Sequence, residues 1–175
     1  MDENNSDDEV EELMSEMILS AFENVKKLKG ELIEYNLQIE YQLDRLISNY
    51  FCNTDKNKNE KFNKYILDQN YFNMQSKINL FGDLKLHKNI KFNNQYKGFT
   101  GRLMNFNNAR NDVAHNLRDT YNPELEIRWK GTKQRIKIDS DFFEEVFKEY
   151  QYISTSLNII TADLGLFLNW EKWKI

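Results

Sequence analysis

The stretch that decides the fold comprises residues 103–115, which read LMNFNNARNDVAH. Apolar and polar side chains recur in it at steps of three and four residues, the period of a helix that is buried on one side. This pattern predicts a helix that starts at about Gly98 or Thr100 and ends near Leu117 or Arg118. One stripe of this helix comprises Leu103, Phe106, Arg110, Val113 and Leu117.

Helical periodicity also covers most of the chain before this helix. The predicted helices are one from Ser6 or Asp7, one from about Glu31 to Phe51 and one from about Lys61 to Phe81. A single glycine, Gly30, interrupts the pattern weakly between the first two. The polar residues 53–60 (NTDKNKNE) predict a loop before the third.

The period changes after Asn122-Pro123, because apolar and charged residues then alternate one by one. This alternation predicts a β-hairpin over residues 125–138 on a two-residue turn, Gly131-Thr132. In that register Glu126 lies opposite Lys137, and Arg128 lies opposite Arg135. A long last helix, about 140–170, follows with Asp139 or Ser140 as its N-cap. The expected fold class is therefore mostly α, with one inserted β-hairpin near 125–138.

Length and composition favour a single domain. The chain has 175 residues, of which 40% are hydrophobic and 14% aromatic, and this is enough for one substantial core. We expect an acidic, disordered leader over residues 1–8 and one helical domain over residues 9–175. Residues 1–16 contain eight acidic residues and no Lys or Arg, so residues 17–175 carry a net charge of +4 within the overall −4. This mild excess permits contact with nucleic acid and is equally typical of an ordinary surface.

Several classes of protein are disfavoured by the sequence. No apolar run is long enough to span a membrane, and no signal peptide is recognisable at the start. The single cysteine, Cys52, allows no internal disulfide and suits a reducing compartment, so we expect a soluble, cytoplasmic protein without a membrane partner. The only histidines are His87 and His115, and there is no glycine-rich phosphate loop or Cys/His cluster. No metal site and no cofactor are predicted.

Three residues near the end of the 103–115 stretch draw attention. Asn111 and His115 are separated by four residues, so they are neighbours on one helix face. Arg110 lies on the apolar stripe, where its charge is costly unless it is paired or its head reaches a cleft. Carboxylates of the second predicted helix, such as Glu34, Glu40 or Asp44, are candidate partners for it.

These residue types suit the cleavage of RNA by its own 2′-hydroxyl group. The reaction needs no metal ion, but it needs a group that titrates near neutral pH, and His115 is such a group. It also needs a fixed cation for the pentavalent phosphate, for which the planar guanidinium of Arg110 is suited. A symmetric dimer would bring two copies of both residues into one cleft. The alternative is structural: Arg110 is a buried ion-pair residue, and His115 lies favourably at the negative end of a helix.

The segment RNDVAH, residues 110–115, resembles the R-x4–6-H signature of the HEPN superfamily. Residues 38–51 (QIEYQLDRLISNYF) resemble the second helix of that group, and residues 77–81 (KINLF) resemble the end of its next helix. The R-N-x-x-A-H form is also similar to proteins of the mannitol operon repressor type. The resemblance covers about residues 30–118, half of the chain.

This resemblance implies an antiparallel helical bundle that dimerises along the motif helix. Many HEPN proteins are metal-independent endoribonucleases that act as toxins in toxin–antitoxin or antiviral defence systems. On this basis Arg110 and His115 are the expected catalytic pair, with Asn111 as their polar helper. The expected partners are RNA, a second copy of the chain, and an antitoxin or regulatory protein. Other members of the superfamily are non-catalytic binding or regulatory modules, and this alternative stays open.

The hairpin lies outside the minimal bundle of that family. Its polar face, together with the end of the motif helix, supplies candidate RNA-binding residues: Arg118, Arg128, Lys130, Lys133, Arg135 and Lys137. They can bind an RNA backbone by charge, and a nucleic-acid-binding regulator would use them in the same way. Equally, they can form a solvated edge whose charges prevent sheet aggregation.

Overall fold

The computed structural model describes residues 4–53, 55–84, 96–115 and 124–166, with side chains from residue 11 onward. The chain is mostly α-helical with one β-hairpin, as predicted. The elements in chain order are α1 (Asn4–Cys52), α2 (Lys56–Phe62), a π-helical turn (Asn63–Leu67), α3 (Met74–Asp83), α4 (Phe99–His115), β1 (Glu124–Trp129), β2 (Thr132–Lys137) and α5 (Ser140–Asp163). Among the described helices, none combines the length and the apolar character that a membrane span requires.

The first helix is continuous through Gly30, so the predicted interruption and the two separate helices are wrong. Gly30 lies outside the left-handed region, and a Cβ added to it would meet open space. Leu28 and Leu32, on either side of it, are fully buried. Their packing outweighs the roughly 1 kcal/mol that one glycine costs a helix. The helix begins at Asn4, within the leader that was expected to be disordered over residues 1–8.

The predicted helix from Lys61 to Phe81 is wrong, because two capped helices occupy this region. Asp55 caps α2 by accepting a hydrogen bond from the backbone N–H of Lys58 at 3.1 Å, and α2 therefore starts inside the expected loop of residues 53–60. Asn73 caps α3 in the same way, accepting from the N–H of Ser76. The π-helical turn between them rotates the side chains, so Leu67 is buried instead of the expected core residues Tyr65 and Ile66.

The hairpin forms with a different turn from the one predicted. Lys130 and Gly131, at φ of +49° and +86°, are its two central residues. Positive φ at both positions is the pattern of the turn that best matches the twist of paired strands. The predicted register is therefore wrong: Glu126 lies opposite Arg135, and Arg128 lies opposite Lys133. A shift by two residues keeps every side chain on its predicted face, so Leu125, Ile127 and Trp129 are buried.

The last helix begins as predicted and ends earlier. Asp139 is its N-cap and accepts a hydrogen bond from the N–H of Phe142 at 3.1 Å. The helix stops at Asp163 rather than near residue 170, because Gly165 adopts a left-handed conformation at φ +67°. A glycine in this conformation is a common helix terminator.

The first and last helices run parallel to each other. Their contacts progress in the same direction along both helices: Lys27 with the ring of Phe143, Tyr35 with Tyr150, and Gln42 with Ser154. The antiparallel arrangement implied by the family resemblance does not hold for this pair. The intervening elements bring the chain back to the same end of the bundle.

The motif helix α4 is packed on several sides. It contacts α1 and α3 as well as strand β1. Its buried side chains are Phe99, Leu103, Phe106, Asn107, Ala109 and Val113. The predicted start of this helix is confirmed by Phe99, and it is helical up to His115; the predicted ends at Leu117 or Arg118 lie outside the described residues. Packing of these buried side chains therefore holds α4 in place, independently of its exposed polar residues.

Two glycines provide a matched test of this architecture. Gly30→Ala should raise the free energy of unfolding by about 0.5–1 kcal/mol, because alanine is the better helix former and has room there. Gly131→Ala should lower it by about 1 kcal/mol, because the turn requires a positive φ. Urea unfolding of both variants measures these changes. A loss of stability in Gly30→Ala would contradict the continuous helix.

Candidate functional site

The three residues singled out by the sequence lie on the second half of α4. Arg110 and Asn111 are half-buried, and His115 is exposed at the last described position of the helix. Arg110 donates a hydrogen bond through Nη1 to Oδ1 of Asn111 at 2.8 Å. The sequence analysis expected Asn111 to be a neighbour of His115, and the hydrogen bond of Asn111 to Arg110 is an additional contact. The amide orients one edge of the guanidinium.

Arg110 has no carboxylate partner among the described residues. Its Nε atom is buried, and nothing in the described part of the chain accepts a hydrogen bond from it. A buried N–H without an acceptor costs free energy comparable to that of a lost hydrogen bond. Nε itself is closed to solvent, so an oxyanion would meet the half-buried guanidinium through its accessible part. This unsatisfied donor is the most informative polar feature of α4.

The carboxylates expected to pair with Arg110 bind a different cation. Lys77 of α3 donates through Nζ to Glu40 Oε1 at 2.7 Å and to Asp44 Oδ2 at 2.9 Å. Lys77 is only 4% exposed, so it has little contact with water, and the two carboxylates take the place of its hydration. The third candidate, Glu34, accepts a hydrogen bond from Gln38 instead. The predicted pairing of Arg110 with these carboxylates is therefore wrong.

The position of Lys77 among apolar residues indicates that it is buried, although helical periodicity alone did not single it out. Lys77 lies between Met74 and Phe81 on the buried side of α3, next to the fully buried Ile78. A lysine among core residues needs an anionic partner as much as Arg110 does. The sequence therefore offered two buried-side cations as candidate partners for the carboxylates of α1. Sequence spacing alone does not say which one is nearer.

Burial affects the pKa values of two residues in this group, Asp44 and Lys77. It raises the pKa of Asp44 to about 6, because the loss of hydration outweighs the hydrogen bond and the charge of Lys77. The second oxygen of this carboxyl group, Oδ1, is buried and has no partner among the described residues. Burial lowers the pKa of Lys77, but its hydrogen bonds to Glu40 and Asp44 outweigh burial and raise it overall. The lysine therefore stays charged.

Arg110 and His115 do not meet within one chain. Five residues separate them, which in an ideal helix gives a Cα–Cα distance of about 8–9 Å and a rotation of about 140°. No hydrogen bond joins His115 to Asn111 in the described part of the chain, although they are neighbours four residues apart. The sequence thus predicts the right helix for all three residues. A complete site would need a bridging substrate or a second molecule.

Asp112 has a clear structural role that the sequence analysis missed. It accepts hydrogen bonds from Arg128 of β1 through Nε at 2.9 Å, Nη2 at 2.8 Å and the backbone N–H at 2.8 Å. These bonds, led by the side-chain contact, lower the pKa of Asp112. A forked Arg–carboxylate pair of this kind fixes orientation as well as distance. Within the segment RNDVAH, Asp112 therefore attaches the hairpin to the motif helix.

The basic residues of the hairpin are largely neutralised by neighbouring acids. Lys130 pairs with Glu145, and Lys133 pairs with Glu126 at 2.7 Å. Lys137 is 4.0 Å from Asp139, and Arg135 lies opposite Glu126 in the sheet. The remaining candidate, Arg118, lies outside the described residues. A face whose cations are already paired is a weaker binding surface for a phosphate backbone.

The described residues contain no group of three or more His, Cys, Asp or Glu side chains arranged to hold a metal ion. Comparison with known proteins adds no further assignment: no protein-family model, no curated protein and no solved structure matches the chain. The residues of α4 and their surroundings are therefore the basis on which a function can be inferred.

The pKa of Asp44 predicts a pH dependence of stability. Because the folded pKa of Asp44 is raised above the ordinary value near 3.8, the protonated carboxyl group stabilises the folded state fully below that pH. This stabilisation is lost as the pH rises through about 6. The unfolding free energy of the wild type should therefore fall relative to that of Asp44→Asn between pH 4 and pH 7. We expect a relative change of about 1–2 kcal/mol after allowance for solvent screening. Urea unfolding across this range measures it, and a difference that does not vary with pH would contradict the assignment.

Proposed function

We propose that this protein is a metal-independent endoribonuclease of the HEPN type that works as a homodimer through α4. The observation that carries the proposal is the half-buried guanidinium of Arg110, which donates a hydrogen bond to Asn111 and has no carboxylate partner in the described part of the chain. The resemblance of residues 110–115 to the R-x4–6-H signature adds support.

The proposed reaction is an attack by the RNA 2′-hydroxyl oxygen on the adjacent phosphorus atom. A general base removes the 2′-hydroxyl proton as the new O–P bond forms. The bond from phosphorus to the 5′-oxygen breaks, and a general acid donates a proton to that oxygen. The products are a 2′,3′-cyclic phosphate and a 5′-hydroxyl. Arg110 would stabilise the additional negative charge on the phosphorane, and Asn111 would hold Arg110 in position.

A dimer supplies the second proton-transfer group. His115 is the only described histidine of the chain, and it is exposed at the last described position of α4. One imidazole cannot act as base and acid in the same step. Two copies of α4 related by a twofold axis would place one His115 on each side of the scissile phosphate. The exposure of His115 suits this arrangement, since a buried histidine could not reach a substrate.

The proposed biological role follows from the family resemblance. A ribonuclease of this kind is plausible as a toxin or an antiviral-defence component that acts on RNA in the cytoplasm. Such an enzyme must be controlled, so an antitoxin or regulatory protein is a proposed partner. The pairing of Lys130 and Lys133 with acids argues for substrate binding at α4 rather than on the hairpin.

A non-catalytic regulatory module is the second candidate function. The observation that favours it is the separation of Arg110 and His115 around α4, which leaves a single chain without an assembled site. A monomer with these residues would still present Arg110 to an anionic group of a partner. A monomer in light scattering would exclude the proposed enzyme, because that enzyme requires a dimer, whereas a dimer is compatible with both functions.

The test is incubation of purified protein with mixed RNA in EDTA. The wild type should produce 2′,3′-cyclic phosphate ends. His115→Ala should reduce the rate by about 10²–10⁴-fold because proton transfer is lost. Arg110→Gln should reduce it by at least about 10²-fold because the phosphorane loses its cation.

Lys148→Gln is the matched control, because Lys148 is exposed and pairs only with Glu144 within its own helix. It should cleave at the wild-type rate. Equal cleavage by the wild type and His115→Ala would mean that another nuclease is present. Absence of cleavage by a folded dimer would refute the enzymatic proposal in favour of the regulatory module.

A further inference from the structure

The N-terminal arm, which we define as residues 11–24 of α1, extends beyond the rest of the described bundle. Every residue from 11 to 20 is exposed, whereas one face of the same helix is buried from Val25 onward. Lys27 lies level with Phe143 in the first turn of α5, and the two helices run parallel. The arm therefore projects past the start of α5 by about 20 Å, the length of its residues in a helix.

The arm carries an apolar stripe with nothing packed on it among the described residues. Six large apolar side chains are more than a third exposed: Leu13, Met14, Met17, Ile18, Leu19 and Phe22. Met14, Ile18 and Ala21 are aligned with Val25, Leu28 and Leu32, which are spaced by the same steps of three and four. The stripe that is buried in the bundle thus continues in the exposed arm. A contiguous apolar surface of this kind is typical of a contact site for another protein.

The charge of the arm limits what can cover that stripe. Its charged residues are Glu11, Glu12, Glu16 and Glu23, and no Lys or Arg occurs before Lys26. At 100° per residue Glu12, Glu16 and Glu23 lie on the helix side away from Ile18, whereas Glu11 lies on the side of Ile18, at the start of the arm. The arm is therefore an acidic amphipathic helix. Two such arms would repel each other, so a second arm is a poor match.

We propose that the N-terminal arm is the docking element for a partner protein whose apolar helix face or groove is bordered by Lys or Arg. An amphipathic helix inserted in a groove is a common mode of recognition, with anchors at every third or fourth residue. The basic border complements the glutamates and steers the encounter. Because α1 is continuous, the arm does not fold back on its own bundle. This inference does not depend on the ribonuclease activity.

The experiment uses the full chain and two labelled helical peptides as probes. One peptide is amphipathic and built of Leu and Lys; the other has Glu in place of every Lys. The test variant is Met14→Gln/Met17→Gln/Ile18→Gln, which removes the stripe and keeps residues with good helix propensity. Leu37→Gln is the matched control, since Leu37 lies on the same helix and is 53% exposed. Fluorescence anisotropy gives each Kd, circular dichroism verifies helix content, and light scattering gives the mass.

The wild type and Leu37→Gln should bind the Leu/Lys peptide alike, and the triple variant should bind it at least about ten-fold more weakly. The Glu peptide should bind far more weakly than the Lys peptide. Equal affinity of the wild type and the triple variant, or equal affinity for both peptides, would overturn the proposal. Loss of binding in Leu37→Gln would place the contact elsewhere and also overturn it. A wild-type mass that halves in the triple variant would show that a second copy covers the arm instead.

Discussion

The ion pairs that Lys77 forms with Glu40 and Asp44 are the buried electrostatic constraint that joins α3 to α1 in the interior of the bundle. Lys77 is almost completely buried at this position. They also occupy two of the carboxylates that α1 offers near the core. An uncompensated buried ammonium group would be strongly destabilising, so these two acids are committed to Lys77. Arg110 is left without a carboxylate among the described residues.

Neighbouring residues of α4 have different structural roles. Asp112 holds β1 through Arg128, while Val113 packs into the core. Within the described part of the chain, the guanidinium of Arg110 donates a hydrogen bond to Asn111, and His115 is exposed. The residues that fix the helix are therefore distinct from those available for chemistry. The helix can therefore present a cation and an imidazole that are not needed for its own stability.

The elements with a strong single period were predictable from the sequence. The start of α4, the start of α5 at Asp139 and the apolar face of the hairpin follow from spacing and caps. Failures occurred where tertiary packing decides the outcome. Leu28 and Leu32 carry α1 through Gly30, and the π-helical turn exchanges Tyr65 for Leu67 in the core. The hairpin register depends on φ at Lys130, which no alternation pattern reveals.

The helix that carries the candidate residues was predictable from the sequence, but the contacts of Arg110 and Asp112 were not. The spacing of Arg110, Asn111 and His115 placed them on one helix, and the structure keeps them there. That Lys77 and not Arg110 pairs with Glu40 and Asp44 was not predictable, because it depends on how α3 and α4 pack against α1. The role of Asp112 was hidden for the same reason, since Arg128 is sixteen residues away in the chain.

The most direct test of the account is the NMR signal of the Arg110 Nε–H group, assigned by its loss in Arg110→Lys. The account predicts a signal typical of an N–H group without an anionic acceptor in the free protein, and a downfield shift on titration with inorganic phosphate. A signal that is already shifted downfield, and that phosphate leaves unchanged, would show that Arg110 has a permanent carboxylate partner. That result would contradict the claim that Arg110 is available for a phosphate group.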